Sequence, residues 1–391
     1  MKSPLESAEK VVVPLIQFEG ADVGHEWPTN LLLAFLKFVS RCYLFGVKLR
    51  LWMYRDGVLR RFPLGSRIIR VGNITAGGTG KTPMVEALAR ELQSRGRKVA
   101  ILSRGYRSES WEGSRKAQAA KEQRTKRPIR VVSTGEGEPK LDSRVSGDEP
   151  YMLAINLKGV AVLVDKNRVE SGRYAVKTLG CDTLLLDDGF QYLRLQDGID
   201  MVLVDCTNPF GNGQVIPRGV LREPIKQLRR AKYICITKAK GRDTTALRKR
   251  LKALNPIAGI IECAHEPKVL REVYTHVELP LEALNGKKVV AFSGIATPVA
   301  FENSLTSQGA RLLGVHRFAD HHRYTQRELQ AIQSEVAEKG AEMVVTTEKD
   351  AVRIPGLENC PVPVYYLRIE LVILKGHEEF ERCIQEITGQ A

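Results

Sequence analysis

One stretch of the chain has the residue types and spacing to hold a phosphate group. It reads Val71-Gly72-Asn73-Ile74-Thr75-Ala76-Gly77-Gly78-Thr79-Gly80-Lys81-Thr82-Pro83. A β-branched apolar run precedes it and an amphipathic run over 83–95 follows, the strand–loop–helix context a phosphate loop requires. Gly77, Gly78 and Gly80 let backbone N–H groups turn toward phosphate oxygens, and the helix N-terminus adds its dipole. Thr75, Gly77, Gly78, Thr79, Gly80, Lys81 and Thr82 are therefore the candidate nucleotide-phosphate site. Lys81 would reach the β- and γ-phosphates, and the Thr82 hydroxyl would ligate Mg²⁺. The match is not strict, since Thr75 stands where the pattern usually has its first glycine.

Three further clusters carry candidate chemistry. Leu184-Leu185-Leu186-Asp187-Asp188-Gly189-Phe190-Gln191 puts two carboxylates at the end of an apolar strand, where open α/β sheets bind ligands. Asp187 and Asp188 could hold Mg²⁺ or its water; a solvated Asp-Asp-Gly turn is the plainer alternative. Ser146-Gly147-Asp148-Glu149-Pro150 opens a helix, and either acid could simply cap it. Arg317-Phe318-Ala319-Asp320-His321-His322-Arg323-Tyr324 places an Asp-His-His run between a strand and a helix. A GTPase of the metallochaperone type would need a base-reading Asp after Lys238, where Thr237-Lys238-Ala239-Lys240 has none, and Cys/His metal clusters.

These groups need strands and helices to position them. Short apolar runs at 68–71, 99–102, 131–133, 160–164, 183–186, 201–204 and 233–237 suit strands of a covered parallel sheet, with helices such as 83–95 and 150–157 between them. The expected class is α/β: a P-loop NTPase-like, doubly wound, mostly parallel sheet over 67–254. Runs at 257–262, 289–293, 312–315, 343–346 and 364–367 predict a smaller α/β domain over 255–391. At 391 residues the chain is long enough for two such cores.

Charge position sets the remaining expectations. The formal net charge is +15, and two stretches carry 14 of it. Residues 29–70 hold nine cations and one acid, interleaved with Leu31, Phe35, Phe38, Tyr43, Phe45 and Trp52. That mixture predicts a basic amphipathic segment over 29–66 lying in an anionic membrane interface; the alternative is a basic helix packed on its own domain. The apolar runs are interrupted by Lys37 and Lys48, so a conventional spanning helix is not expected. Residues 104–130 hold nine cations and three acids among Ser, Gln and Ala, and 108–130 is expected to be a mobile surface insertion. It lacks aromatics beyond Trp111, so no nucleic-acid partner is expected, and a nucleic-acid-binding ATPase is the weaker rival. The first 28 residues are acidic, unlike a transit peptide, and no signal segment is expected. Seven scattered cysteines without a CxxC pair fit a reducing compartment.

Taken together, the motifs resemble one family, the tetraacyldisaccharide 4'-kinases of lipid A biosynthesis. The resemblance rests on Gly72-Asn73 through Pro83, Ser103-Arg104-Gly105-Tyr106, Gly147-Asp148-Glu149-Pro150, Asp187-Asp188-Gly189-Phe190-Gln191, Gly211-Asn212-Gly213, Leu221-Arg222-Glu223-Pro224, Phe318-Ala319-Asp320-His321 and Thr347-Glu348-Lys349-Asp350, in order over about 30–380. It implies transfer of the ATP γ-phosphate to the 4'-hydroxyl of a lipid A disaccharide precursor at the cytoplasmic face of the inner membrane. It further implies that Asp148 is the base or hydroxyl-orienting carboxylate with His321 as its partner, and that Lys81 is catalytic. Asp148 and His321 are expected to meet when a cleft between the two domains closes. Arg104 is offered to a phosphate, while Glu149, Arg168, Arg173 and Glu223 receive no role. The acidic extension before residue 29 and the 108–130 insertion depart from the family pattern without touching a motif.

Overall fold

The structure, a computed structural model, describes residues 27–105, 129–356 and 362–389. The expected 1–28 extension and 108–130 insertion lie outside the described residues, apart from 27–28 and 129–130. In chain order the elements are α1 (Trp27–Arg55), β1 (Arg67–Asn73), α2 (Lys81–Ser94), β2 (Val99–Ser103), β3 (Arg130–Ser133), α3 (Ser143–Ser146), α4 (Asp148–Asn156), β4 (Ala161–Val164), α5 (Arg168–Lys177), β5 (Thr183–Leu186), β6 (Gly198–Asp205) and β7 (Tyr233–Thr237). Then follow α6 (Thr245–Leu254), β8 (Gly259–Glu272), β9 (Glu278–Pro280), β10 (Lys288–Ser293), α7 (Pro298–Ser307), β11 (Arg311–Arg317), α8 (Gln326–Lys339), β12 (Met343–Thr347), α9 (Glu348–Ala351), β13 (Val364–Lys375) and α10 (His377–Thr388).

The chain divides into two compact units. Of the described residues, the first takes 27–104, 159–264 and 372–389; the second takes 105, 129–158, 265–356 and 362–371. A boundary near 255 therefore describes the second unit only in part. Residues 129–158 join it because the partners of α4 lie there: Lys349 donates to Glu149 at 2.8 Å, and the Asn156 amide donates to Glu348 at 2.7 Å. The last helix returns to the first unit, burying Cys383, Ile384 and Ile387 while Glu381 meets Arg95 at 2.6 Å.

In the first unit the strand order is β8-β7-β6-β1-β5-β2-β4, and every adjacent pair is parallel. The strands are runs of Val, Ile and Leu buried along nearly their whole length, as sheets covered on both faces require. β1 and β5 are neighbours with Arg70 opposite Leu186, and β2 is the next strand, with Leu102 also opposite Leu186. Their C-terminal ends therefore emerge side by side, which brings the loop after β1 beside Asp187 and Asp188.

The second unit orders β11-β10-β12-β13, again parallel, with β9 antiparallel on β8. One face is sealed by Leu270, Leu284, Phe301, Leu305 and Leu367, the other by Phe292, Tyr324, Leu329, Ile332 and Val336. Thr325 and Glu328 form a reciprocal capping box that fixes where α8 begins, just after the Asp-His-His run.

Candidate active site

Residues 74–80 turn from β1 into α2. Gly77 has φ 119° and Gly80 φ 81°, backbone states that side chains rarely adopt, so the glycines are needed for the turn itself. A Cβ added at Gly77 or Gly78 would meet nothing within 4 Å, so that side of the loop is open. The Thr79 hydroxyl is buried with no hydrogen-bond partner among the described residues, a donor that a phosphate oxygen would satisfy. Thr82, in the first turn of α2, is buried, whereas Thr75 is turned inward and accepts from Asn73 Nδ2 at 3.4 Å. The Lys81 ammonium lies 3.4 Å from Asn73 Oδ1 and 3.6 Å from Asp188.

The strand end after β5 is built as tightly. Asp188 takes a left-handed backbone, φ 51°, and Gly189 follows so closely on Leu186 that a Cβ there would sit 2.6 Å from it. Phe190 packs against β1: a Cβ at Gly72 would be 2.7 Å from Phe190 N. Arg168, itself buried, donates to the carbonyls of Asp187 and Asp188 at 3.0 and 3.3 Å, fixing the peptides that carry the two carboxylates. Asp187 is buried and accepts from Ser103 Oγ at 3.5 Å. Asp188 is bound in a fork by Arg222, at 2.7 and 3.0 Å. Burial alone would raise the Asp188 pKa; hydrogen bonding to Arg222 and the charge of Lys81 outweigh it and hold the carboxyl below its ordinary value.

Arg222 carries no role of its own in the sequence motifs. Its placement comes from a long-range pairing: residues 220–222 run against 74–76, with Ala76 N donating to Val220 O at 2.6 Å and Arg222 N to Ile74 O at 2.7 Å. Glu223, fully buried, accepts from Arg50 of α1 at 3.0 Å and from Arg230 at 2.7 Å. Burial pushes its carboxyl up, against the pull of Arg230 and Arg50. No local signal marks these partners.

The second unit holds the other candidate group. Asp148 is the first residue of α4, and its Oδ2 lies 3.1 Å from His321 Nδ1, although the two are 173 residues apart in sequence. Both belong to the second unit, so their meeting requires no closure between units, contrary to the sequence expectation. His321 has φ 67° and is anchored by its N–H, which donates to Gly294 O at 3.1 Å. The same carboxylate meets Arg353 Nε at 2.8 Å and Arg323 at 3.4 Å. The phosphate-loop set and the Asp148–His321 pair thus occupy different units, each internally connected.

With this geometry in place, comparison with known proteins identifies the chain. A family model for tetraacyldisaccharide-1-P 4'-kinase (LpxK) matches residues 32–388. The chain belongs to the tetraacyldisaccharide 4'-kinase family. The tetraacyldisaccharide 4'-kinase of Anaeromyxobacter dehalogenans (strain 2CP-C) is 40% identical over 362 residues, spanning 90% of this chain and 89% of the relative. That of Syntrophus aciditrophicus (strain SB) is 36% identical over 361 residues, spanning 90% and 92%. A crystal structure of an "apo" form of LpxK from Aquifex aeolicus in complex with ATP superposes with a TM-score of 0.71 at 27% identity, covering 91% of this chain and 99% of that one.

Two features of this tetraacyldisaccharide 4'-kinase bear on metal and lipid. Thr82, Asp187 and Asp188 supply hard oxygen donors of the kind Mg²⁺ takes, but both oxygens of Asp188 are engaged by Arg222. The second feature is α1, which at 29 residues is long and apolar enough by length and composition to cross a membrane. One face docks on the first unit through Ser40 (to Val215 O, 2.9 Å), Tyr43 (to Arg222 O, 2.9 Å), buried Val47 and Arg50. The opposite stripe, Leu31, Phe35, Phe38, Cys42, Phe45, Leu49 and Trp52, is exposed at alternating three- and four-residue steps.

Proposed function

We propose that Asp148, partnered by His321, takes the proton of the sugar hydroxyl in the reaction that this ATP-dependent lipid kinase performs, phosphorylation of a tetraacyldisaccharide 1-phosphate lipid A precursor at its 4' position. The observation that carries the assignment is the 3.1 Å contact between Asp148 Oδ2 and His321 Nδ1. As the hydroxyl oxygen bonds to the γ-phosphorus, its proton passes to the carboxylate and the bond to the ADP oxygen breaks. A sugar hydroxyl is a poor nucleophile, and a carboxylate that orients it adds to the larger effects of positioning and charge.

In the first unit, backbone N–H groups of 77–82 and the hydroxyl of Thr79 bind the phosphates, and Lys81 meets the β- and γ-oxygens. Mg²⁺, held by Thr82 and Asp187, would neutralise charge on those oxygens. Asp188 works through Arg222 and Lys81: it holds both cations at the strand end, where transferred charge needs them.

The acceptor carries acyl chains, and α1 supplies the surface for a lipid environment. Its exposed apolar stripe is flanked on one side by exposed Lys37, Arg41, Lys48 and Arg55 at the same helical spacing, which suits anionic headgroups. The opposite face is occupied by Ser40, Tyr43 and Arg50, polar groups bonded to the protein rather than to lipid. This supports peripheral attachment at the cytoplasmic face of the inner membrane, where ATP is supplied, rather than spanning.

The test is a mutant cycle. Asp148→Asn and His321→Ala each lower kcat by roughly 10²–10⁴, the range for positioned acid–base groups. The double variant loses little more than the worse single one, because the pair acts as a unit. Fully multiplicative losses, or a raised KM for ATP with kcat kept, would withdraw the assignment.

A further inference from the structure

The segment after β12 carries Thr347-Glu348-Lys349-Asp350, and three residues on stands Arg353, to which neither motif nor mechanism has given a task. We propose that Arg353 is a positioning residue for phosphoryl transfer: its guanidinium fixes Asp148 and holds His321 in the tautomer with its proton on Nε2. The proposal rests on the reading of Asp148 and His321 as the acid–base pair.

The geometry is specific. The Arg353 side chain is 1% exposed. Along one edge of the guanidinium, Nε donates to Asp148 Oδ2 at 2.8 Å and Nη2 faces His321 Nδ1 at 3.1 Å. A guanidinium has donors only and a carboxylate acceptors only, and His321 Nδ1 faces one of each; the planar guanidinium edge that spans Asp148 Oδ2 and Nδ1 assigns the ring nitrogen the accepting role. The imidazole proton then sits on Nε2, and Asp148 Oδ2 and His321 Nδ1 are bridged by one cation rather than sharing a proton. At its other end Nη1 donates to Gly294 O at 3.1 Å and to Asp350 Oδ1 at 3.0 Å.

The surroundings hold that fork still. Asp350 is fully buried and accepts from Thr347 Oγ1 at 2.5 Å and Gly294 N at 3.1 Å. Gly294 O also accepts from the N–H of His321, so one carbonyl anchors both members of the bridge. A side chain at 294 would press within 3.0 Å of Ala319 O and 3.1 Å of Asp350. Lys349 and Glu348 grip α4 at Glu149 and Asn156, so the same short segment steadies the helix that begins with Asp148.

The experiment compares Arg353→Lys with Arg353→Gln/Asp350→Asn, the second replacement preventing a buried carboxylate from being left unpaired. Kinetics are read for both substrates, with ¹⁵N NMR of the labelled His321 ring in the full-length protein. The double replacement is expected to lower kcat by roughly 10²-fold with KM for ATP unchanged. The ring signal should move from the Nε2–H pattern toward Nδ1–H. Arg353→Lys, which keeps a charge near Asp148 and loses the planar fork, should recover part of kcat. Added to Asp148→Asn, either change should cost little more. An unchanged ring tautomer, or a loss that multiplies with Asp148→Asn, would overturn the proposal, since a merely structural residue behaves that way. If the double replacement does not fold, Arg353→Lys decides through the ring signal. Full activity of Asp148→Asn would instead remove the acid–base reading itself, whatever Arg353 does.

Discussion

Lys81, Asp188 and Arg222 form a small charge network in which each member limits the others. With Lys81 in its proposed role toward the transferring phosphate, Lys81→Ala should lower kcat by roughly 10²–10³-fold, the cost of deleting one preorganised donor. Circular dichroism and the melting temperature should stay near those of the parent, because Lys81 is on the loop-facing end of α2 and not in the core; near-normal turnover at saturating Mg-ATP would contradict its role. Asp188 permits a pH test. Its carboxyl is held below its ordinary value, burial notwithstanding, by the Arg222 fork and Lys81. A depressed acid contributes stability above its unfolded pKa of about 3.9 and loses it as pH falls through the folded value. The stability gap between the parent and Asp188→Asn, read from urea midpoints, should therefore be flat from neutrality down to about pH 5 and shrink below about pH 4. A gap that persisted unchanged in acid would show that the ion pair contributes nothing.

Two elements are held by close contact: β1 against the turn after β5, and α1 docked on the first unit. Gly72 lets Phe190 lie against β1, with a hypothetical Cβ 2.7 Å from backbone nitrogen. Backbone cannot step aside as a side-chain tip can, so Gly72→Ala should cost about 1–3 kcal/mol, the usual range for overpacking, as a lowered urea midpoint. For α1, Phe35→Asp, Phe38→Asp and Phe45→Asp together strip the exposed stripe and leave the docked face intact. Each lost phenylalanine forfeits up to roughly 1.5–3 kcal/mol of apolar burial in lipid, so flotation with anionic vesicles should disappear. High salt should weaken binding of the parent only partly, since apolar burial is not screened. Protein that resisted carbonate extraction would argue for a spanning helix. The elements were legible where their cause is local. The phosphate loop needs only its glycines, Lys81 and flanking periodicity, and the strand expected at 183–186 is β5 itself. The face of α1 that docks was not legible, because Val215, Arg222 and Glu223 lie more than a hundred residues away. The same holds for Arg222 and Arg353, whose types are common and whose partners only the fold supplies.

For the whole molecule, the parallel α/β class was readable from alternating apolar runs, but the composition of the two units was not. Residues 129–158 belong to the second unit although first-unit strands flank them in sequence, because α4 pairs with residues near 350. Asp148 and His321 thus meet without any movement between units, and the proposed acid–base pair lies in the second unit alone. The first unit contributes the phosphate loop, its cations and the helix with the exposed apolar stripe. One assay tests directly whether these two sets serve one reaction. Purified protein is given Mg-ATP and a tetraacyl disaccharide 1-phosphate in mixed micelles, and the product is analysed by mass and by phosphorus NMR. The account predicts one added phosphate on the 4' oxygen, with one ADP formed for each. ATP hydrolysis without lipid phosphorylation, or phosphate at another hydroxyl, would contradict it.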